Sequence, residues 1–381
     1  MLIGLDGIPL TELKTGVGHY TFELARALAR AAPQNEFELA YPSIFSTIDL
    51  PSSLPTNLKA ARVKVGPIAR HWWSIGLPRY VRRRGIELFH GTNYDIPLRQ
   101  RCPTVLTVHD LSLLTHPETH EKARVRRARR RLRLMVRAST VIITPSEFVK
   151  GEVHSLLGLP SEKIFAVPEA FRECFYPQPF AATESVRRRF GIEGDFLLAV
   201  GTIEPRKNIG TLVRAFAKVL QRDTTRNLQL VVAGGEGWLT SDFFKDVKKS
   251  GVADRIVFTG YLCDDDLRAL YSSCLIFVYP SIYEGFGLPP LEAMACGAPV
   301  VVSRIPTLME TTEGSVVYFD PASEDELARV IEELMANDEL RKSVANAGRT
   351  QASKFSWEQT AQMTLEVYQE ASHRFARNRL R

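Results

Sequence analysis

Short unbroken apolar runs alternate with longer stretches in which apolar residues return every three or four positions, and this rhythm covers most of the chain. In the first half, "LIGLDG", "FELAYP", "IELFH", "PTVLTVHD", "TVIITP" and "IFAVP" read as strands. In the second half the corresponding runs are "FLLAVG", "LQLVVAG", "RIVFTG", "LIFVYP" and "APVVVS". Successive rather than alternate residues are apolar, the pattern of strands covered on both faces. Helical periodicity fills the intervals, clearest near residues 17–31, 147–157, 209–220 and 264–273. Such alternation predicts an α/β protein of parallel sheets flanked by helices. One sheet does not absorb so long a chain. The rhythm lapses in "VPEAFRECFYPQPF", residues 167–180, rich in Pro and aromatic residues, which predicts a linker between two doubly wound domains, 1–172 and 173–355. A helical, basic tail follows from about residue 356.

Charge changes this picture more than composition does. The 381 residues carry a formal net charge of +6. Residues 1–175 hold 25 Lys and Arg against 16 Asp and Glu, a net of +9, whereas the remainder is net −3. The excess concentrates in "KARVRRARRRLRLMVR", residues 122–137, with nine cations and no acid. Val125, Ala128, Leu132 and Met135 recur there at helical spacing, so the segment is an amphipathic basic helix. It is either a solvated face or a surface for anionic membrane. Nucleic acid ranks lower as a partner, because no nucleic-acid-binding motif accompanies the charge. The five cysteines form no CxxC pair, which disfavours a disulfide framework or a zinc site and fits a reducing cytosol. "MLIGLDGIPL" has no basic start and includes Asp6, so it reads as a first strand rather than a signal peptide, and no apolar run is long enough to span a bilayer. The expectation is a cytoplasmic protein, attached peripherally at the inner face of the membrane if the basic helix docks there.

Four stretches offer chemistry. "KTGVGHY", residues 14–20, follows the first strand, and Gly16 and Gly18 at a helix start let backbone amides approach an anion. "GTIEPRKN", residues 201–208, follows the first strand of the second domain. Its adjacent Arg206 and Lys207 suit a diphosphate, with Asn208 as the expected helix cap. The alternative is an exposed basic pair. His109 and Asp110 end the run "TVLTVHD", at the strand edge where α/β proteins place ligands, and His109 is suited to donating a hydrogen bond or to acid–base work. Finally, "SIYEGFGLPPLEAMACG" places Glu284 in a Gly-rich loop and Glu292 in the first turn of a short helix. A glycosidase needs two carboxylates across one bond. Carboxylates on a loop and on the following helix instead suit two parts of one long ligand, such as the hexose and ribose of a sugar nucleotide.

Glu284 and Glu292, seven residues apart in "EGFGLPPLEAMACGAPVV", together with "VGTIEPRKN", "TGVGHY", "HD" and "ITPSEF", give the chain a resemblance to the GT4 family of retaining glycosyltransferases along nearly its whole length. The resemblance implies the GT-B fold, two Rossmann-like domains facing across a cleft with the final helix, 356–381, returning to the first domain. It implies metal-independent transfer without a cofactor, the nucleotide sugar being a substrate. By position it implies that Arg206, Lys207 and amides near Gly16 and Gly18 bind the diphosphate. Glu284 with Gly285 and the backbone of Phe286, Gly287 and Leu288 would hold the donor hexose, Glu292 the ribose, and His109 the sugar near its anomeric carbon. In style the motifs are similar to bacterial mannosyltransferases of surface polysaccharides, which makes GDP-mannose the first donor and UDP-glucose the second, with a glycan or lipid-linked glycan as acceptor. His90, Asn93 and Tyr94 in "FHGTNYDIP", with Asp110, form the expected acceptor wall. Where many relatives have Asn-Gly after the strand ending at Pro168, this chain has Glu169-Ala170. The other readings are a nucleotide-sugar epimerase of the same fold and a non-catalytic nucleotide-binding or membrane-docking module.

Overall fold

The computed structural model describes residues 1–12, 16–66, 71–99, 101–222 and 227–380. Lys14 and Thr15 of the first glycine-containing motif lie outside the described residues. The chain divides into two compact units. The first comprises Met1–Leu111, Arg126–Glu169 and the tail from Ser356, and the second comprises Ser112–Val125 and Ala170–Phe355. The passage between them falls at Glu169/Ala170, inside the aperiodic stretch, while the segment Ser112–Val125 groups with the second unit rather than with the residues around it.

The first unit is built on seven parallel strands: β1 (Leu2–Asp6), β2 (Glu36–Pro42), β3 (Leu58–Val63), β4 (Leu88–Gly91), β5 (Thr104–Thr107), β6 (Val141–Thr144) and β7 (Ile164–Ala166), in the order β3-β2-β1-β4-β5-β6-β7. β4, β5 and β6 are buried at every residue, as their unbroken apolar runs require. Edge strand β3 is exposed at Lys59, Ala60 and Arg62, and its sequence "LKAARV" carries no such run. The terminal helix, Trp357–Leu380, belongs to this unit. Tyr368 hydrogen-bonds His90 on β4, and the Thr360 hydroxyl donates to the carbonyl of Pro168.

The second unit has six parallel strands: β8 (Asp195–Val200), β9 (Leu228–Ala233), β10 (Ile256–Gly260), β11 (Ile276–Tyr279), β12 (Val300–Ser303) and β13 (Val317–Phe319), in the order β10-β9-β8-β11-β12-β13. Alternate residues feed two separate cores. Phe196, Leu198, Phe277 and Tyr279 pack on one face, and Leu197, Ala199, Ile276 and Val278 on the other. A period of two with both phases apolar is what produces the continuous hydrophobic runs in the sequence.

In each sheet the strand order reverses beside its first strand, between β1 and β4 in one and between β8 and β11 in the other. Loops leaving the carboxyl ends of strands diverge at such a point and leave a crevice, the usual ligand position in this architecture.

Candidate functional site

The loops after β8 and β11 flank the reversal point of the second sheet and are tied together. Ile282 N donates to the Arg206 carbonyl at 3.0 Å. Asn208 is left-handed (φ 53°), its amide nitrogen donating to the carbonyls of Pro280 (3.1 Å) and Pro321 (2.9 Å) and its oxygen accepting from the Thr211 hydroxyl. It stands directly before the helix Ile209–Arg222, where a cap is expected, and its amide nitrogen also ties the two loops.

This brings Arg206, Lys207 and Glu284 into direct contact. Arg206 Nη1 donates to Glu284 Oε2 at 2.8 Å and Nη2 to Glu204 Oε1 at 2.6 Å, while Lys207 Nζ meets Glu284 Oε1 at 2.6 Å and the Tyr279 hydroxyl at 2.7 Å. Tyr279 also donates to Glu284 Oε1 at 2.9 Å. All are buried or half-buried. Burial opposes the charge on Glu284, but Arg206 and Lys207 outweigh it and draw the carboxyl down to about 2. Burial lowers Lys207 despite the neighbouring carboxylate.

Downstream, the Glu284 carbonyl accepts from Thr307 and the Phe286 carbonyl from Thr311, and Phe286 packs edge-on against Phe355. Gly287 initiates the helix Leu288–Ala295 at φ 112°, and a Cβ there would lie 2.6 Å from Leu308 Cδ2, so only glycine makes this turn without displacement. Glu292 belongs to a second cluster. Arg172 holds its Oε1 through Nε (3.2 Å) and Nη2 (2.9 Å), Tyr271 donates to Oε2 at 3.2 Å, and Arg172 Nη1 reaches Asp264. Burial raises the Glu292 carboxyl, with Arg172 countering in part. The two glutamates thus have separate partners.

In the first unit, β4 ends at Gly91, where a Cβ would fall 1.8 Å from the Asp95 carbonyl oxygen, so the chain turns back tightly there. That turn aims the Thr92 carbonyl at His109 Nε2, 2.8 Å away, and His109 Nδ1 lies 3.1 Å from Glu169 Oε1. The His109 ring sits edge-on to Tyr20 at 4.7 Å and to Tyr94 at 5.9 Å. The free ring donor expected for His109 is therefore engaged at both nitrogens. Asp6, the last residue of β1, is buried, accepts from Ile8 N at 3.1 Å, and is pushed by burial up to about 8.

The acceptor wall is corrected at His90. Its ring is fully buried between the Tyr368 hydroxyl (2.8 Å) and the Thr107 hydroxyl (2.7 Å), and burial, with the charge of His109, lowers it to about 3. It is a neutral core histidine with no surface to offer. The Tyr94 hydroxyl is spent on the Asp110 backbone, donating to its carbonyl at 3.1 Å and accepting from its N–H at 2.8 Å, and Asn93 is half-buried. Gly16 is exposed at the start of the helix Gly16–Ala31, and Gly18 is buried within it. Sequence reasoning missed Arg172, Glu169, Glu204 and Tyr279. The visible signals were three charged residues, Glu169, Arg172 and Glu173, inside an aperiodic linker, the first of them the departure from Asn-Gly. Among the described residues, no three or more of His, Cys, Asp and Glu form a group that could hold a metal ion.

A chain of two doubly wound sheets, with a basic clasp at the reversal point of the second, has the design of a GT-B glycosyltransferase. The chain belongs to the family 4 glycosyltransferases: residues 14–171 match the family model "Glycosyltransferase Family 4" and residues 183–351 match "Glycosyl transferases group 1". It is 31% identical over 373 residues to the O-antigen chain mannosyltransferase B of Escherichia coli, covering 94% of this chain and 97% of that one. Among solved structures it is similar to sucrose-phosphate synthase from Thermosynechococcus elongatus, with a TM-score of 0.76, 22% identity, and coverage of 97% and 98% of the two chains. It is similar also to Anabaena HepE in complex with UDP and glucose, with a TM-score of 0.75, 20% identity, and coverage of 97% and 99%.

Proposed function

We propose that this glycosyltransferase moves a hexose, with retention and without a divalent metal, from a nucleotide sugar to a glycan or lipid-linked glycan, with GDP-mannose as first donor and UDP-glucose as second. The observation that carries the reading is the clasp of Arg206, Lys207 and Glu284 at the reversal point of the second sheet. Breaking the bond between the anomeric carbon and the diphosphate leaves an electron pair and negative charge on the phosphate oxygen. On this reading a planar guanidinium, an ammonium and the Leu288 N–H, the one amide of the helix's first three residues because Pro289 and Pro290 have none, stabilise that charge. This is the work a metal does in other transferases. Glu284 and the backbone at Phe286, Gly287 and Leu288 serve the hexose, Glu292 serves the ribose, and amides at Gly16 and Gly18 assist the diphosphate. In the first unit His109 serves the transferred sugar. Similarity to an O-antigen mannosyltransferase supports mannose, and the HepE complex with UDP and glucose supports the second donor.

The test is release of nucleoside diphosphate and appearance of a glycosylated product from GDP-mannose and UDP-glucose, with and without EDTA. Turnover of neither donor, or activity lost to EDTA and restored by Mg²⁺, defeats the corresponding part. A new sugar formed from donor alone identifies an epimerase.

The same reading takes the acceptor to be presented at an anionic membrane by the helix Lys122–Ala138. No helix among the described residues is long and apolar enough to cross a membrane. On this helix Val125, Leu132 and Met135 are buried, while Arg126, Arg127, Arg129, Arg130, Arg133 and Arg137 are exposed around an exposed Leu134. Arg131 is diverted, its Nε 2.5 Å from Asp95 Oδ1. Each cation near an anionic surface contributes about 1 kcal/mol. The protein is expected to pellet with phosphatidylglycerol vesicles at low salt and to be released at high salt. Reversing the charge of Arg126, Arg127 and Arg130 should abolish pelleting, and indifference to anionic vesicles would make the helix a solvated face.

A further inference from the structure

The ring of His109 is held between the Thr92 carbonyl, which can only accept a hydrogen bond, and the Glu169 side chain, which can only accept one as a carboxylate. The Thr92 carbonyl has no proton to give, so Nε2, 2.8 Å away, must carry one. The Glu169 carboxylate, 3.1 Å from Nδ1, has none in its ionised form either, so Nδ1 must carry one too. An imidazole with a proton on both nitrogens is a cation. We propose that Glu169 is a positioning residue that keeps His109 as an imidazolium, so that His109 serves turnover as a fixed positive charge rather than as a base.

Every neighbour is consistent with this. Glu169 comes from the segment after β7, Asp110 follows the histidine in sequence, and Tyr20 and Tyr94 present neutral rings from the helix Gly16–Ala31 and the loop after β4. His90 on β4, the other titratable ring nearby, is kept neutral by burial and by the charge of His109. Burial opposes the charge on His109, but the hydrogen bond and charge of Glu169, with the Thr92 carbonyl and Asp110, more than offset it, and the net shift is upward. An imidazolium has no lone pair with which to take a proton from an acceptor hydroxyl. It can attract an oxygen-rich or anionic group, and the part played in turnover rests on the assignment of His109 to the sugar given above.

The experiment is nitrogen NMR of the full chain labelled with ¹⁵N-histidine, assigned with His109→Gln, alongside the pH profile of kcat/KM. The expected result is a doubly protonated His109 at pH 7.5. Glu169→Gln, nearly isosteric and checked for an unchanged melting profile, should lower its titration midpoint by about one pH unit or more, the scale of a charge-assisted hydrogen bond. The alkaline limb of kcat/KM should move down with it, and Glu169→Asp should restore part of the shift. A neutral His109 at pH 7.5, or a midpoint that Glu169→Gln leaves in place, overturns the proposal. A midpoint that moves while the kinetic profile does not overturns the role in turnover, and with it the assignment of His109 to the sugar.

Discussion

Asp6 and Glu284 are both buried carboxylates beside the reversal point of a parallel sheet, one in each unit, yet they are charged to opposite degrees. Glu284 meets Arg206 and Lys207 directly and is drawn down to about 2, whereas burial of Asp6 dominates everything near it and pushes it up to about 8. The same topology thus makes an ionic crevice in the second unit and leaves a protonated acid in the first. In the second unit two cations face two carboxylates, Glu204 and Glu284, already hydrogen-bonded to them. On the function proposed above, a diphosphate arriving there would exchange places with carboxylate oxygens, so its affinity would be a difference between two ion-pair sets.

Removing a cation breaks this contrast most severely. Arg206→Ala should lower kcat/KM by about 10²–10³-fold, the cost of deleting one charge-stabilising donor, with Glu284 left short of a partner. Unchanged steady-state kinetics in a folded variant would refute the assignment. The next effect separates the two carboxylates by the sign of their pH response. Because the folded-state value of Asp6 is raised, its contribution is fully present below about 3.8 and is lost as pH rises through about 8. The melting temperature of the native protein should therefore fall relative to Asp6→Asn between pH 5 and 9. Glu284 is depressed, so its contribution is present above about 4.5 and is lost as pH falls toward about 2, and the native protein should lose its advantage over Glu284→Gln only on acidification. Calorimetry in which both differences slope the same way would erase the contrast. Tyr368→Phe tests the reassignment of His90 to the core: leaving Nδ1 without its partner should cost about 1–3 kcal/mol of stability while kcat is preserved. The smallest effect is expected at Gly16→Ala. No atom lies within 4 Å of a Cβ there, so stability should change by less than about 0.5 kcal/mol, and a rise in donor KM would isolate an amide contact from any effect on folding.

Strands buried on both faces were legible because each carries an unbroken apolar run; β3 and β13 were not. Both are edge strands: β3 exposes Lys59 and Ala60 and carries no such run, whereas β13 lies in the short run Val316–Phe319, which was passed over. The members of the clasp in the second unit were singled out because Arg206 and Lys207 are adjacent and Glu284 stands in a Gly-rich loop after a strand, but their direct contact was not read. Arg172 was not singled out, since its partner Glu292 is 120 residues away and its own surroundings look like a linker. His90 was misread for the same reason: the tyrosine that makes it a core residue lies 278 positions downstream. Proximity in sequence favoured the second unit; the first is assembled from distant parts.

The return of the terminal helix to the first unit reverses the order in which the two halves can be finished during synthesis. The strands of the first unit leave the ribosome early, but Tyr368 for His90 and Thr360 for the Pro168 carbonyl arrive only after residues 170–355 have been made. At about 5–20 residues per second that interval is roughly 10–40 s. Through it the nascent first sheet stands without one of its covering helices, its β4 histidine unpaired on one side, while the second unit, contiguous from Ala170 to Phe355 apart from one earlier segment, can already close. The half that is translated first is the last to be completed.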